Sequence, residues 1–280
     1  MAFLSVIIPL YNKSQYIART IQSVLEQSFQ DFEIIVVNDG STDNSLKVVN
    51  SINDRRIRII DKRNEGVSIT RNRGAYEANC DLLFFLDADD TILPNCLEIL
   101  KKLREDFPDA DLWSANYLKR RNTLETKAIA DFHRGYVNDI SKMYWQRKWA
   151  VRMGSFICTK QSFLDCGGFP ENICIYEDLL LLCRFIERKK CVYDPTIVMC
   201  YDIDNRGLSI AKVPLEKRAE GNLDFDNKDT YIRLKYGELL GIYIISSIKR
   251  FRFGNICKVL RKYGKYTIFS IYSLLRRVFR

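Results

Sequence analysis

The stretch that most constrains this chain is Leu82-Leu83-Phe84-Phe85-Leu86-Asp87-Ala88-Asp89-Asp90. Its apolar run, bounded by Asp81 and Asp87, reads as a short strand buried on both faces, the pattern of a strand inside a parallel sheet. Three carboxylates follow at its carboxyl end. A buried strand gains nothing from them, because like charges repel and each is costly to desolvate unpaired. A divalent cation explains the cluster. Hard oxygen ligands one residue apart suit Mg2+ or Mn2+, above all when substrate phosphates complete the shell. Open α/β sheets bind ligands at the carboxyl ends of their strands, so this segment also marks where a site belongs. The competing reading is an acidic turn before a helix, with Asp90 or Thr91 as cap.

The flanking sequence supports such a sheet. Residues 3–9 (FLSVIIP) and 32–37 are β-branched apolar runs, and residues 57–60 form a third. Between them, residues 14–28 carry Ile17, Ile21, Val24 and Leu25 at helical spacing, and residues 66–79 read as a helix. Gly40 supplies a turn after Asn38-Asp39, and Thr42 or Asp43 is placed to cap the next helix. Strand and helix alternating through short links is the doubly wound α/β signature. Farther on, Pro94 is expected to open a helix reaching about Glu105, followed by a strand over 111–118 and an irregular polar loop over 119–140. Helices are expected near 139–149, 160–166 and 177–189, with strands at 155–159 and 192–201. Residues 202–230 read as loop, and 231–280 return to helical spacing. The expected division is a nucleotide-binding half at 1–115, an acceptor-binding half at 116–205, a loop at 206–230 and a basic amphipathic helical tail at 231–280.

Charge is unevenly spread. Residues 231–280 hold 12 Lys and Arg against the single acid Glu238, so the net +9 of the chain resides in the tail and the remainder sums to −2. A nucleic-acid-binding body would carry its own basic face, which argues against that class of partner. No window reaches the roughly 18 apolar residues of a membrane span, and the N-terminus lacks the basic leader of a secretory signal. The nine cysteines contain no C-x-x-C pair and accompany a single His, His133, so they read as small buried hydrophobes in a reducing cytoplasm.

Polar groups fall at the ends of the first four expected strands. Tyr11 could stack on a base and Asp39 accept a hydrogen bond from a ring N–H, while Arg71 could pair with phosphate and Asp89 hold the cation. Each also has a plain structural reading: surface aromatic, turn residue, solvated helix face. Their joint occurrence at strand ends is what favours a site.

Four ordered motifs carry a resemblance: SVIIPLYN (5–12), EIIVVNDGSTD (33–43), RNEGVSITRNRG (63–74) and FLDADD (85–90). Together they resemble family 2 inverting glycosyltransferases of the GT-A fold. GGFPE (167–171) and Tyr176-Glu177-Asp178 are similar to that family's acceptor-side motif. The resemblance implies a nucleotide-sugar donor, a UDP-sugar, with Pro9, Tyr11, Asn12 and Asp39 lining the base pocket and Arg71 near base or diphosphate. It implies Asp87 at the ribose, Asp89 binding Mn2+ or Mg2+, and Asp178 as general base with Glu177 as the alternative. Arg206 and Ser209, in NRGLS, resemble a loop that closes over the diphosphate. The implied reaction is hexosyl or N-acetylhexosaminyl transfer to a hydroxyl of a surface glycan or lipid-linked acceptor.

Two rival readings stand beside it. Asp87-Ala88-Asp89-Asp90-Thr91 fits the D-x-D-x-T of a haloacid dehalogenase-type phosphatase with Asp87 as nucleophile, although that motif normally sits on the first strand. A catalytically silent family member that only binds a partner is the other. An NAD enzyme is disfavoured, since no G-x-G-x-x-G follows the first strand. In the tail, residues 239–248 and 266–275 are apolar segments among Lys, Arg and aromatics. They suit helices lying in an anionic membrane surface, which would make the protein cytoplasmic and peripheral on the inner face of the cytoplasmic membrane; packing on the body is the alternative.

Overall fold

The computed structural model describes residues 2–121, 124–128, 132–202, 213–249 and 253–266. The N-terminal part repeats a strand–helix unit: β1 (Leu4–Leu10), α1 (Ile17–Leu25), β2 (Phe32–Asp39), α2 (Ser45–Asn50), β3 (Ile57–Lys62), α3 (Val67–Glu77) and β4 (Leu82–Phe85). A short β5 (Thr91–Ile92) then precedes α4 (Cys96–Asp106). The rest comprises β6 (Leu112–Arg121), β7 (Leu124–Lys127), β8 (Gly135–Tyr136), α5 (Ile140–Trp145), β9 (Phe156–Thr159), α6 (Lys160–Asp165), α7 (Glu177–Arg188) and β10 (Cys191–Asp202). Two helices close the described chain, α8 (Thr230–Lys249) and α9 (Phe253–Tyr263).

These strands form one sheet in the order β3-β2-β1-β4-β9-β6-β10-β5, with β7 beside β6 and β8 beside β10. Strands β3, β2, β1 and β4 are mutually parallel. Beyond them the sheet is mixed: β9 runs antiparallel to β4 and β6, and β6 is parallel to β10. The chain winds outward from β1 to β3 and returns to β4 on the other side of β1. That reversal opens a crevice at the carboxyl ends of β1 and β4.

Alternate residues of each strand feed two cores, as strands covered on both faces must. Leu4, Val6, Ile8, Ile34, Val36 and Phe84 pack with Ile17 and Ile21 of α1 and Leu97 and Leu100 of α4. Ile7, Ile35, Val37, Leu83 and Phe85 pack on the opposite face with Phe163, Phe169, Leu181 and Phe185. Helix α3 lies very close to β1. A Cβ on Gly74 would stand 2.4 Å from Ile7 Cγ2, so glycine there sets the approach.

Several expectations are corrected. Residues 119–140 are not an irregular loop: β6 runs on to Arg121 and folds back as β7, and Gly135–Tyr136 pairs with β10. All four β7 side chains are exposed, so this strand carries no apolar run for a sequence reading to find. Helix α4 starts at Cys96 behind Asn95, not at Pro94, Asp90 or Thr91. Thr91 and Ile92 are held in β5 by pairing with Cys200 and Met199 of β10. Within 202–230, the described part is more ordered than a loop, with 3-10 turns at Leu215–Lys217 and Ala219–Gly221 and buried Leu215, Leu223 and Phe225.

The tail helices pack on the body. Ile232, Tyr236, Leu239, Leu240 and Tyr243 of α8, with Val259 and Tyr263 of α9, join the core. The first apolar tail segment is therefore largely buried in protein. Of the second, only Tyr266 is described, stacked 4.8 Å from Phe225; residues 267–275 lie outside the described residues. No helix among the described residues is long and apolar enough to cross a membrane. All nine cysteines are free, and Cys80, Cys96, Cys158, Cys166, Cys183 and Cys191 are buried as small hydrophobes.

Candidate active site

The parallel pairing brings the strand ends level: Leu10 lies beside Asn38, Asp39 beside Lys62, and Ile7 beside Phe85. Pro9 is buried inside β1, while Tyr11 just beyond the strand is 46% exposed, free to meet a flat ligand. Asn12 adopts a left-handed conformation (φ 51°), and its Oδ1 accepts from Thr42 N at 2.8 Å and Asp43 N at 3.3 Å, tying the β1 loop to the β2 loop. Asp39 is buried and heavily used. One carboxylate oxygen accepts from Lys62 Nζ and, at 2.8 Å, from Glu65 N; the other accepts from Gly66 N at 2.9 Å. An ionised carboxylate offers about four lone-pair sites, so a ring N–H has one left to address.

The reversal crevice is bridged by charge. Lys13 Nζ reaches Asp89 Oδ2 at 2.5 Å across the gap between β1 and β4, and Arg19 Nη2 donates to the Asp89 carbonyl at 2.8 Å. Asp89 remains 41% exposed at its side chain, within reach of a ligand.

Helix α3 organises what lies behind. Arg71 is 5% exposed; its Nη2 donates to Asp87 Oδ1 at 2.6 Å and its Nη1 to Glu177 Oε1 at 2.7 Å, over the Phe169 ring. Burial works against the guanidinium charge, but the two carboxylates outweigh it and hold the Arg71 pKa above its ordinary value. For Asp87, burial pushes upward, yet Arg71 prevails and the pKa falls below the usual carboxylate range. Glu177 goes the other way: burial, with adjacent Asp178, keeps its pKa raised in spite of Arg71. Arg71 thus links the β4 end to the start of α7 rather than facing a ligand alone. Its neighbours pin the GGFPE loop: Asn72 Oδ1 accepts from Phe169 N and its Nδ2 donates to Phe169 O, both at 2.9 Å, and Ser68 Oγ donates to Ile173 O at 2.9 Å.

Tyr176, left-handed at φ 60°, then turns the chain into α7. A non-glycine residue held in that region costs roughly 1–3 kcal/mol. The turn aims Glu177 inward at Arg71 and leaves Asp178 half-buried on the wall of a cleft of about 250 Å³. Tyr117, Lys119, Arg147, Arg152, Tyr176 and Lys235 line the same cleft. His133 is exposed and stacked on Phe132, away from this chemistry. Arg206 and Ser209 lie outside the described residues.

The donor set bears on the expected cation. No group of three or more His, Cys, Asp or Glu among the described residues could cage a metal. Asp87 is turned to Arg71, leaving the exposed Asp89 as the accessible carboxylate. That fits Mg2+ or Mn2+ held by one carboxylate plus phosphate oxygens and water, and it does not fit an all-protein site.

Sequence reasoning missed Lys13, Lys62, Asn72, Lys119 and Arg152. Asn72 sits inside the RNEGVSITRNRG motif, which was the available signal. Lys62 precedes Arg63 and Lys119 precedes Arg120 and Arg121, so sequence neighbours do not mark which cation enters the site; only folding assembles them.

Comparison with known proteins settles the family. The sequence model of glycosyl transferase family 2 matches residues 5–168. This chain belongs to that family. An uncharacterized glycosyltransferase of Rickettsia felis is 33% identical over 178 residues, covering 63% of this chain and 29% of that protein. The chondroitin synthase of Pasteurella multocida is 37% identical over 115 residues, 40% of this chain and 12% of the synthase. The chain spans less than half the length of the first curated relatives it matches. Among solved structures, residues 1–349 of S. aureus TarS, crystallised with UDP-GlcNAc, superpose with a TM-score of 0.67 at 18% identity, over 97% of this chain and 79% of that one. The common architecture is the GT-A-like mixed α/β fold.

Proposed function

We propose that this family 2 member transfers one sugar, with inversion, from a nucleotide-sugar donor to an acceptor hydroxyl. The observation that carries this reading is the chain of contacts Asp87–Arg71–Glu177, which ties the carboxyl end of β4 to the helix start bearing Asp178. Inverting transfer requires in-line attack at the anomeric carbon, so a carboxylate base belongs on the face opposite the leaving nucleotide. Asp178, on the cleft wall, is assigned that base. Glu177 is bound to Arg71 and acts as a positioning residue, holding α7 in place.

Tyr11, Pro9, Asn12 and Asp39 are assigned to the base pocket, with Asp39 offering its remaining lone pair. Asp87 is assigned to the ribose, Asp89 to Mn2+ or Mg2+ at the diphosphate, and Arg206 and Ser209 to a closing loop. A bound cation would neutralise charge developing on the leaving diphosphate. The residues themselves orient the donor, and Lys13 and Arg19 hold Asp89 in position for that role. TarS was crystallised with UDP and UDP-GlcNAc, which supports a UDP-sugar here. The acceptor is a surface glycan or lipid-linked sugar met at the inner face of the cytoplasmic membrane, toward which the Lys and Arg residues of 231–280 would be drawn. The phosphatase reading is disfavoured by family membership and by Asp87 being committed to Arg71.

The test is a panel of nucleotide-sugars with Mn2+ or Mg2+, read as nucleotide release with and without acceptor glycans. UDP release from UDP-GlcNAc or another UDP-sugar is expected. Release from none of the panel, or hydrolysis of a simple phosphate ester instead, would overturn the proposal.

A further inference from the structure

The cleft beside Asp178 holds more positive charge than its own fold uses. Lys119, Arg147, Arg152 and Lys235 line it, against the single lining carboxylate Asp178. Arg147 and Lys235 share Glu238, a buried acid behind the wall, with Lys235 Nζ at 3.4 Å. Lys119 and Arg152 make no ion pair with a carboxylate among the described residues; each lies over a tyrosine ring, Tyr117 and Tyr201 respectively. Arg152 Nε is buried with no hydrogen-bond partner among the described residues, a donor left unmet there at a real cost. Burial, together with the charges of Arg147, Arg152 and Lys235, pushes the Lys119 pKa below its ordinary value, which means the four cations stand close enough to repel one another.

A cluster of under-neutralised cations in a concave site is unfavourable by itself and becomes favourable when an anion enters. The donor diphosphate is one anion to consider, since the Arg152 charge also acts on Asp87. The strand-end crevice, however, has its own cations in Lys13 and Arg19 beside Asp89. Lys119 and Arg152 instead share a cleft with Asp178. We infer that this cleft receives an oxyanion carried by the acceptor, a phosphate or a carboxylate next to the hydroxyl that is glycosylated, and that Lys119 and Arg152 are its specificity-determining residues. The inference rests on the transferase reading in naming the occupant an acceptor. Arg152 supplies a planar fork suited to two oxygens, and Lys119 a point charge.

The experiment holds the protein saturated with UDP and titrates glycerol 1-phosphate, glucuronate and glucose by ligand-observed NMR. Both anions are expected to bind at least about tenfold more tightly than glucose, and Lys119→Gln or Arg152→Gln to weaken the anions by about tenfold without lowering the melting temperature. Whichever anion binds more tightly identifies phosphate or carboxylate. Glucose binding as tightly as the anions would overturn the proposal. So would one-for-one competition between the anions and UDP, or a parallel loss of UDP affinity in the variants, either of which would give these cations to the donor. Absence of UDP-sugar turnover with anion binding retained would sink the transferase reading alone, so the two failures are read separately.

Discussion

The two walls of the site differ in how their charges are matched. At the strand ends each carboxylate assigned a role is paired with a cation: Asp39 with Lys62, Asp89 with Lys13, and Asp87 with Arg71, which it shares with Glu177. In the cleft beside α7, Lys119 and Arg152 make no ion pair with a carboxylate among the described residues and lie over tyrosine rings. Matched charges hold loops in a fixed geometry before a ligand arrives, which is what positioning a donor requires. Unmatched charges hold little in place, and their energy is released only on binding. On the proposed reading, the first wall orients the donor and the second recognises the acceptor.

That contrast breaks most readily at Arg71. Arg71→Met leaves Asp87 and Glu177 without their shared cation, and a loss of about 3–5 kcal/mol in unfolding free energy is expected from denaturant melts. Arg71→Lys should recover only part of it, because an ammonium lacks the fork that reaches both acids. A midpoint unchanged in Arg71→Met would mean the link between the walls carries no load. Next comes Asn72→Ala, which orphans the Phe169 backbone groups and should cost about 1–3 kcal/mol by the same measurement; a neutral result would free the GGFPE loop from α3.

Acid probes two hydrogen-bonded carboxylates of the parallel half. Asp43 is held at about 2 because hydrogen bonds from Ser45 and Ser14 overcome the upward push of burial, and Asp54 is held at about 2 chiefly by its hydrogen bonds from Arg56. Both folded values lie below the unfolded one, so their stabilisation is present above about pH 4 and disappears as pH falls toward 2. The urea midpoint should fall across that window, and less steeply in Asp43→Asn. The smallest effect belongs to Lys13→Met. Its pair with Asp89 is over a third exposed on both sides, so stability should change by under about 1 kcal/mol. Metal-dependent UDP affinity should change with it, as read by calorimetry, and an unaffected affinity would separate Asp89 from the ligand.

The parallel half was legible in the sequence because strands covered on both faces are unbroken apolar runs, and because polar residues gather where they end. Asp87, Asp89, Asp39 and Asn12 are all found at those ends. What their side chains touch was not legible: Arg71 reads as a phosphate contact yet binds two acids, since a motif records residue types and not partners. Strand β7 was invisible because its side chains are all exposed, and β5 because a two-residue strand exists only through its pairing with β10. The apolar tail segment at 239–248 fitted a membrane surface or the body equally, and Leu239, Leu240 and Tyr243 are buried against protein. The cations of the cleft come from β6, the connection between α5 and β9, and helix α8, so no local pattern could announce them.

The proposed inverting transfer turns on Asp178. With donor and acceptor saturating, Asp178→Asn should lower kcat by about 10²–10⁴-fold, the range expected for loss of a general base, while UDP affinity and melting temperature stay as in the unmodified protein. Turnover that continues at the normal rate would contradict it.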